Sequence, residues 1–242
     1  MTHKFNRVLL FSACMAVISM FTAAADTCVN GGTLLSYEAL GSTGCTYGGY
    51  TFSNFSYTDA ATNGGNTVTG SGVNVFTATN AYGSGLSFDG SWDAYGAGAT
   101  SDGDITFVVT VNNGGAATIT DAGVAQTAGV TGSGVATVAE QGCGPAPCVP
   151  GSWPNPPFVF DANSGSNNQS ASETMITPNG SVEVSKNINV EAGTGSGYDA
   201  ATISQVTDTF STVPEPRAMS LLLGFGLLAG FAFRKKFQAD RA

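Results

Sequence analysis

The residue types that could do chemistry in this sequence gather in one stretch. Asp89, Asp93, Asp102 and Asp104 lie close together, with Trp92 and Tyr95 among them. Carboxylate oxygens are hard ligands of the kind calcium takes, and an indole face stacks on a sugar ring. Two carboxylates are also all that a glycosidase requires. The spacing is not that of an EF-hand loop. The bland alternative is a pair of solvated loops around a partly buried Trp92. Set against these residues is an absence. The one histidine is His3, so a Ser-His-Asp triad, a Cys-His dyad and a histidine metal site have no imidazole available in the body. No phosphate-cradling Gly-Lys-Ser/Thr motif is present either. The chain is therefore expected not to be an enzyme, and no catalytic residue is assigned.

Cys28, Cys45, Cys143 and Cys148 form an even set in a chain that carries an export signal, described below. Disulfides are the natural reading outside the cytoplasm. Four cysteines allow three pairings. Cys28 with Cys45 and Cys143 with Cys148 are favoured, because each closes a short loop. A thiol zinc site lacks a second Cys pair or a histidine to complete it.

The elements that must position these groups read as strands. Ile105, Phe107, Val109 and Val111 share one face, with Thr106 and Thr110 opposite. Val182, Val184, Ile188 and Val190 repeat the pattern, opposed by Glu183, Ser185, Asn187, Asn189 and Glu191. Period two is the strand signature. Lys186 falls on the apolar face and is expected near a strand edge, where its head reaches water. Further strands are expected over 50–57, 73–79, 117–120, 135–139, 158–160 and 201–210. Turns are expected at Asn63-Gly64-Gly65-Asn66, Asp102-Gly103-Asp104, Asn112-Asn113-Gly114-Gly115 and Pro178-Asn179-Gly180. Many short strands with turn signals between them predict an all-β antiparallel sandwich of jelly-roll or immunoglobulin-like kind. Residues 144–157 are proline-dense and suit a connector or an edge loop; Trp153 in that stretch is a second candidate for stacking on sugar.

Charge is distributed unevenly. The net charge is −9, but Lys186 is the only basic residue between Arg7 and Arg217, against fifteen acidic ones from Asp26 to Asp208. Nucleic-acid affinity comes largely from Lys and Arg on phosphates, so nucleic acid is excluded as a partner.

Both ends read as addresses. Lys4 and Arg7 precede the apolar stretch Val8 to Phe21, and Ala23-Ala24-Ala25 offers a small-residue cleavage site before Asp26. Residues 1–25 thus predict a signal helix removed by signal peptidase between Ala25 and Asp26. At the other end Pro214-Glu215-Pro216 precedes an apolar run over 218–233, closed by Arg234-Lys235-Lys236. Such a run is roughly 24 Å long as a helix, enough to span when flanking cations snorkel. The basic triplet keeps the tail cytoplasmic and leaves the body outside.

In order and content, residues 213–242 resemble the PEP-CTERM sorting signal of exported bacterial surface proteins. The resemblance implies an inner-membrane exosortase that recognises Pro214, Glu215 and Pro216 and cleaves nearby. It implies delivery to the surface or the extracellular matrix, often alongside exopolysaccharide. The expected organisation is a signal peptide (1–25), a β-sandwich body (26–212) and a sorting segment with one transmembrane helix (213–242). The expected function is structural or adhesive, in a biofilm or polysaccharide layer. A carbohydrate-binding module, assisted by calcium at the aspartates, is the alternative.

Overall fold

The computed structural model describes residues 25–112, 117–144, 158–162, 169–195 and 198–214. Its first half comprises β1 (Asp26–Thr27), β2 (Gly32–Thr33), the short helix α1 (Leu34–Glu38), β3 (Cys45–Tyr47), β4 (Tyr50–Thr62), β5 (Asn74–Asn80) and β6 (Gly83–Tyr95). Next come β7 (Thr100–Val111), β8 (Ala117–Thr131), β9 (Val135–Cys143) and β10 (Phe158–Ala162). The last three strands are β11 (Ser170–Asn179), β12 (Ser181–Glu191) and β13 (Ala200–Pro214).

Among the described residues these strands make two sheets, one ordered β1-β3-β4-β7-β12-β9-β10 and the other β11-β8-β13-β6-β5-β2. All pairings are antiparallel except the short parallel contact of β1 with β3. From β6 to β9 each successive strand changes sheet, so neighbours in sequence face each other across the core. The expected β-sandwich is the architecture found.

Alternation explains why these segments pair as they do. Ile105, Phe107 and Val109 are buried, as are Val182, Val184, Ile188 and Val190. Leu86, Phe88, Trp92 and Ala94 do the same for β6 from the facing sheet. At the centre Phe107 lies 5.5 Å from Phe55, 5.9 Å from Phe88 and 6.3 Å from Phe210, ring centre to ring centre. Burying aromatic area of this kind is the main favourable term in such a fold. Phe52 and Phe55 are three apart and cannot both face inward on a regular strand. A register shift between Ser53 and Ser56, with Asn54 at φ 54°, resolves that conflict.

Two expectations from the sequence are corrected. Asp102-Gly103-Asp104 is not a turn; it lies inside β7. A Cβ on Gly103 would stand 2.7 Å from the Trp92 indole nitrogen and 3.0 Å from the Tyr57 hydroxyl. Gly103 is therefore needed for close packing within a strand, not for a turn. The segment around Asp89 and Trp92 is also strand rather than loop.

The Cys28–Cys45 disulfide is present, with Cα atoms 4.8 Å apart. Cys143 is disulfide-bonded too; Cys148 lies outside the described residues. β13 pairs with β8 as far as Pro214 opposite Ala117, so the strand reaches the first proline of the Pro214-Glu215-Pro216 triplet. Ala23, Glu215, Pro216, Trp153 and the apolar run 218–233 lie outside the described residues. Among those described, no helix is long and apolar enough to cross a membrane.

Candidate functional site

The period-two pattern of β12 sends Lys186 inward with its apolar neighbours. It does not reach water, which corrects the expectation drawn from the sequence. β12 is an interior strand, paired to β7 on one side and β9 on the other, and Lys186 is fully buried. Register places Glu140 of β9 directly opposite Lys186. Asp208 of β13 comes from the facing sheet, between inward-facing Val206 and Phe210. All three residues are buried.

The ammonium of Lys186 donates to Glu140 Oε2 at 2.8 Å and to Asp208 Oδ1. It also stands 5.7 Å from the centre of the Phe88 ring. Glu140 Oε1 and Asp208 Oδ2 have no hydrogen-bond partner. Gln126 occupies the same inner face of β8 two residues from Val124, the partner of Asp208, and both its amide atoms are unpartnered.

One cation between two carboxyls in a dry site is electrically unbalanced unless one carboxyl keeps its proton. Burial, and then the charge of Glu140, push the Asp208 carboxyl well above the usual carboxylate range, against the pull of Lys186. Burial alone would lower the Lys186 ammonium, but Asp208 and Glu140 outweigh it and hold its pKa above the ordinary value. The surroundings therefore favour a proton on Asp208 beside a charged Lys186, with Glu140 in reach of the same ammonium. Buried ion pairs of this kind add little stability over apolar packing, so stability alone is a poor reason for keeping one.

The sequence contains a signal for this site. Glu140 follows Ala136 and Val138, Asp208 lies between Val206 and Phe210, and Lys186 lies between Val184 and Ile188. Each charge occupies an apolar-face position of an alternating strand. What the sequence does not say is that the three positions meet.

The residues expected to bind a ligand are not brought together. β6 and β7 belong to opposite sheets, so Asp89 and Asp93 face outward on one sheet, while Asp102 and Asp104 face outward on the other. The sandwich, with sheets roughly 10 Å apart, lies between them. Asp89 accepts from Gln205 Nε2 at 3.0 Å and from Ser87 Oγ at 3.0 Å. The Asp93 carboxyl is raised by partial burial. Across the molecule, Asn187 Nδ2 donates to Asp102 at 2.8 Å and to Asp104 at 2.9 Å. Asn189 Nδ2 adds a longer contact to Asp102 at 3.4 Å.

The four aspartates cannot share one ion, and no cluster of three or more metal-ligating side chains exists among the described residues. Trp92 cannot stack on a sugar either. Its side chain is fully buried and its indole N–H donates to Tyr57 OH at 3.2 Å. Tyr57 in turn donates to the Val68 carbonyl at 2.6 Å. Burial, with smaller contributions from Asp59, Asp102 and Asp104, pushes its phenol up to about 12, so it stays a donor.

Comparison with known proteins adds little. No protein-family model matches the chain, and no curated protein matches it. One solved structure that matches belongs to work on the "promiscuous specificity of the carbohydrate-binding modules from the beta-sandwich super family". The match is at 12% identity with a TM-score of 0.28, covering 79% of this chain. This chain spans 63% of that structure's length, and a likeness at that score supports no argument about ligand or mechanism.

Proposed function

We propose that this chain is an exported structural or adhesive module of the bacterial cell surface or extracellular matrix. The tail that resembles a PEP-CTERM signal supports delivery by exosortase, and the signal-peptide pattern supports export. The observation that carries the structural reading is where the polar side chains go. In the described body they pair with one another in Asp102 and Asp104 with Asn187, Asp89 with Gln205, and Lys186 with Glu140 and Asp208, and the atoms left without a partner, on Gln126, Glu140, Asp208 and Thr209, are buried and closed to a ligand. A scaffold uses its polar groups in this way; an active site leaves some convergent and open. The test is trafficking. Replacing Glu215 with Ala is expected to leave the protein in the inner membrane of its own host, read by fractionation. Unchanged surface delivery removes the exosortase reading.

A carbohydrate-binding module remains the second reading, now on different residues. Tyr95 and Tyr198 are 60% and 97% exposed, and Tyr95 pairs in register with Ala200, two residues along the chain from Tyr198, so the two tyrosines lie near the same end of that sheet. Tyrosines so placed offer flat surfaces to sugar rings. Retention on immobilised exopolysaccharide that falls in Tyr95→Ala and Tyr198→Ala supports this reading; no retention of the wild type rejects it.

A further inference from the structure

We propose that Lys186 and Asp208 condense to an intramolecular amide, with Glu140 as the proton-transfer group, so that the two sheets are clamped by a covalent bond through the core.

Four observations point there. The amine and the carboxyl are already in direct contact, with Asp208 Oδ1 against Lys186 Nζ. A second carboxyl, unnecessary for pairing one cation, lies 2.8 Å from the same nitrogen. It is where a group that carries protons between the reactants has to be. Both carboxyls keep one oxygen unpartnered, which leaves sites for a proton in transit. Finally, the chain places its only body cation in this site and nowhere on its surface.

The chemistry balances without any co-reactant. The site begins as ammonium, carboxylate at Glu140 and acid at Asp208; burial favours the acid form of Asp208. Glu140 removes a proton from Lys186, and the freed lone pair of Nζ attacks Cγ of Asp208. The Cγ–Nζ bond forms as the carbonyl π bond opens onto oxygen. Glu140 then delivers its proton to the departing hydroxyl, the Cγ–O bond breaks, and one water leaves. A proton lost from nitrogen returns to Glu140, so the products are a neutral amide, a neutral Glu140 acid and water.

The setting favours this direction. In bulk water the separated ions are stabilised by hydration, which opposes condensation. In a dry core that hydration is gone, and the amide removes two buried charges that would otherwise remain. Preorganisation supplies the rest, because register and sheet packing hold the reacting atoms together before any bond forms. The reaction runs once per molecule, so it makes the protein its own substrate and not an enzyme. It does not depend on where the protein works.

Trypsin tests it directly. Lys186 is the only tryptic site between Arg7 and Arg217, and all the body cysteines precede it. An acylated lysine is not cleaved. The full chain, reduced and denatured before digestion, is expected to release no peptide Asn187–Arg217. That segment should instead remain joined to the preceding sequence, in a fragment lighter than its residues by one water. Free Asn187–Arg217 from folded wild-type protein overturns the proposal, whatever any variant does. Glu140→Gln, which cannot take up a proton, is expected to release the peptide while keeping a sheet circular-dichroism spectrum. A crosslink formed equally well in folded Glu140→Gln overturns the role given to Glu140. Asp208→Ala, which lacks the electrophile, is expected to release the peptide; a missing peptide there would place the bond elsewhere and refute the assignment of Asp208.

Discussion

The two faces of β12 treat adjacent polar residues in opposite ways. Lys186 points inward, fully buried between Glu140 and Asp208. Asn187, the next residue, points outward and bridges Asp102 and Asp104 at the surface. Inside, each hydrogen bond replaces lost hydration, and a missing partner is costly. Outside, water stands ready to take the place of any partner. The same backbone therefore carries a site where every proton matters and a site where few do.

That contrast can be broken most severely from within. Lys186→Met leaves two carboxyls buried without their cation and is expected to lower unfolding free energy by about 3–5 kcal/mol, read by urea denaturation. Replacing all three residues with apolar ones of similar size sharpens the point. An ion pair alone predicts near-neutrality for that triple variant. Loss of a clamp over a span of 22 residues predicts a fall of about 3 kcal/mol. We expect the fall.

An intermediate case lies away from β12. Asp199 accepts from Ser133 N at 2.9 Å, Ser133 Oγ at 2.9 Å and Gly195 N at 2.7 Å, tying the β8–β9 turn to the segment before β13. These bonds hold its carboxyl below the usual range. A depressed acid contributes stability that is complete above its unfolded pKa and is lost as pH falls through the folded one. The melting temperature of the wild type is therefore expected to drop more on acidification below the ordinary carboxylate range than that of Asp199→Asn. Equal acid sensitivity would remove Asp199 from the account. The smallest effect belongs to the outer face. Asn187→Ala is expected to change stability by no more than about 0.5 kcal/mol by the same urea measurement, because solvent replaces what it loses.

How much of this was legible varied with the range of the interaction. Strand alternation over 105–111 and 182–190 is local, and the structure keeps it. β6 carried the same signal in Leu86, Phe88, Trp92 and Ala94. Gly90 interrupts that run, because the Trp92 ring occupies the space a Cβ there would fill, with the nearest ring atom 2.8 Å away. Asp102-Gly103-Asp104 looked like a turn for a sound local reason, since Asp-Gly favours turns. The indole of Trp92, arriving from the other sheet, overrode it.

The amino-acid sequence alone determined the class of fold, the lack of a body histidine and the single body cation, and it favoured Cys28–Cys45 among three possible pairings. These depend on side-chain period, short loops and composition, all readable from nearest neighbours along the chain. Only the tertiary structure decided which sheet each strand joins. That assignment set Asp89 and Asp93 on the far side from Asp102 and Asp104, and it brought Glu140, Lys186 and Asp208 to one point. Contacts between strands distant in sequence follow from how two whole sheets pack, and no short window of residues encodes that.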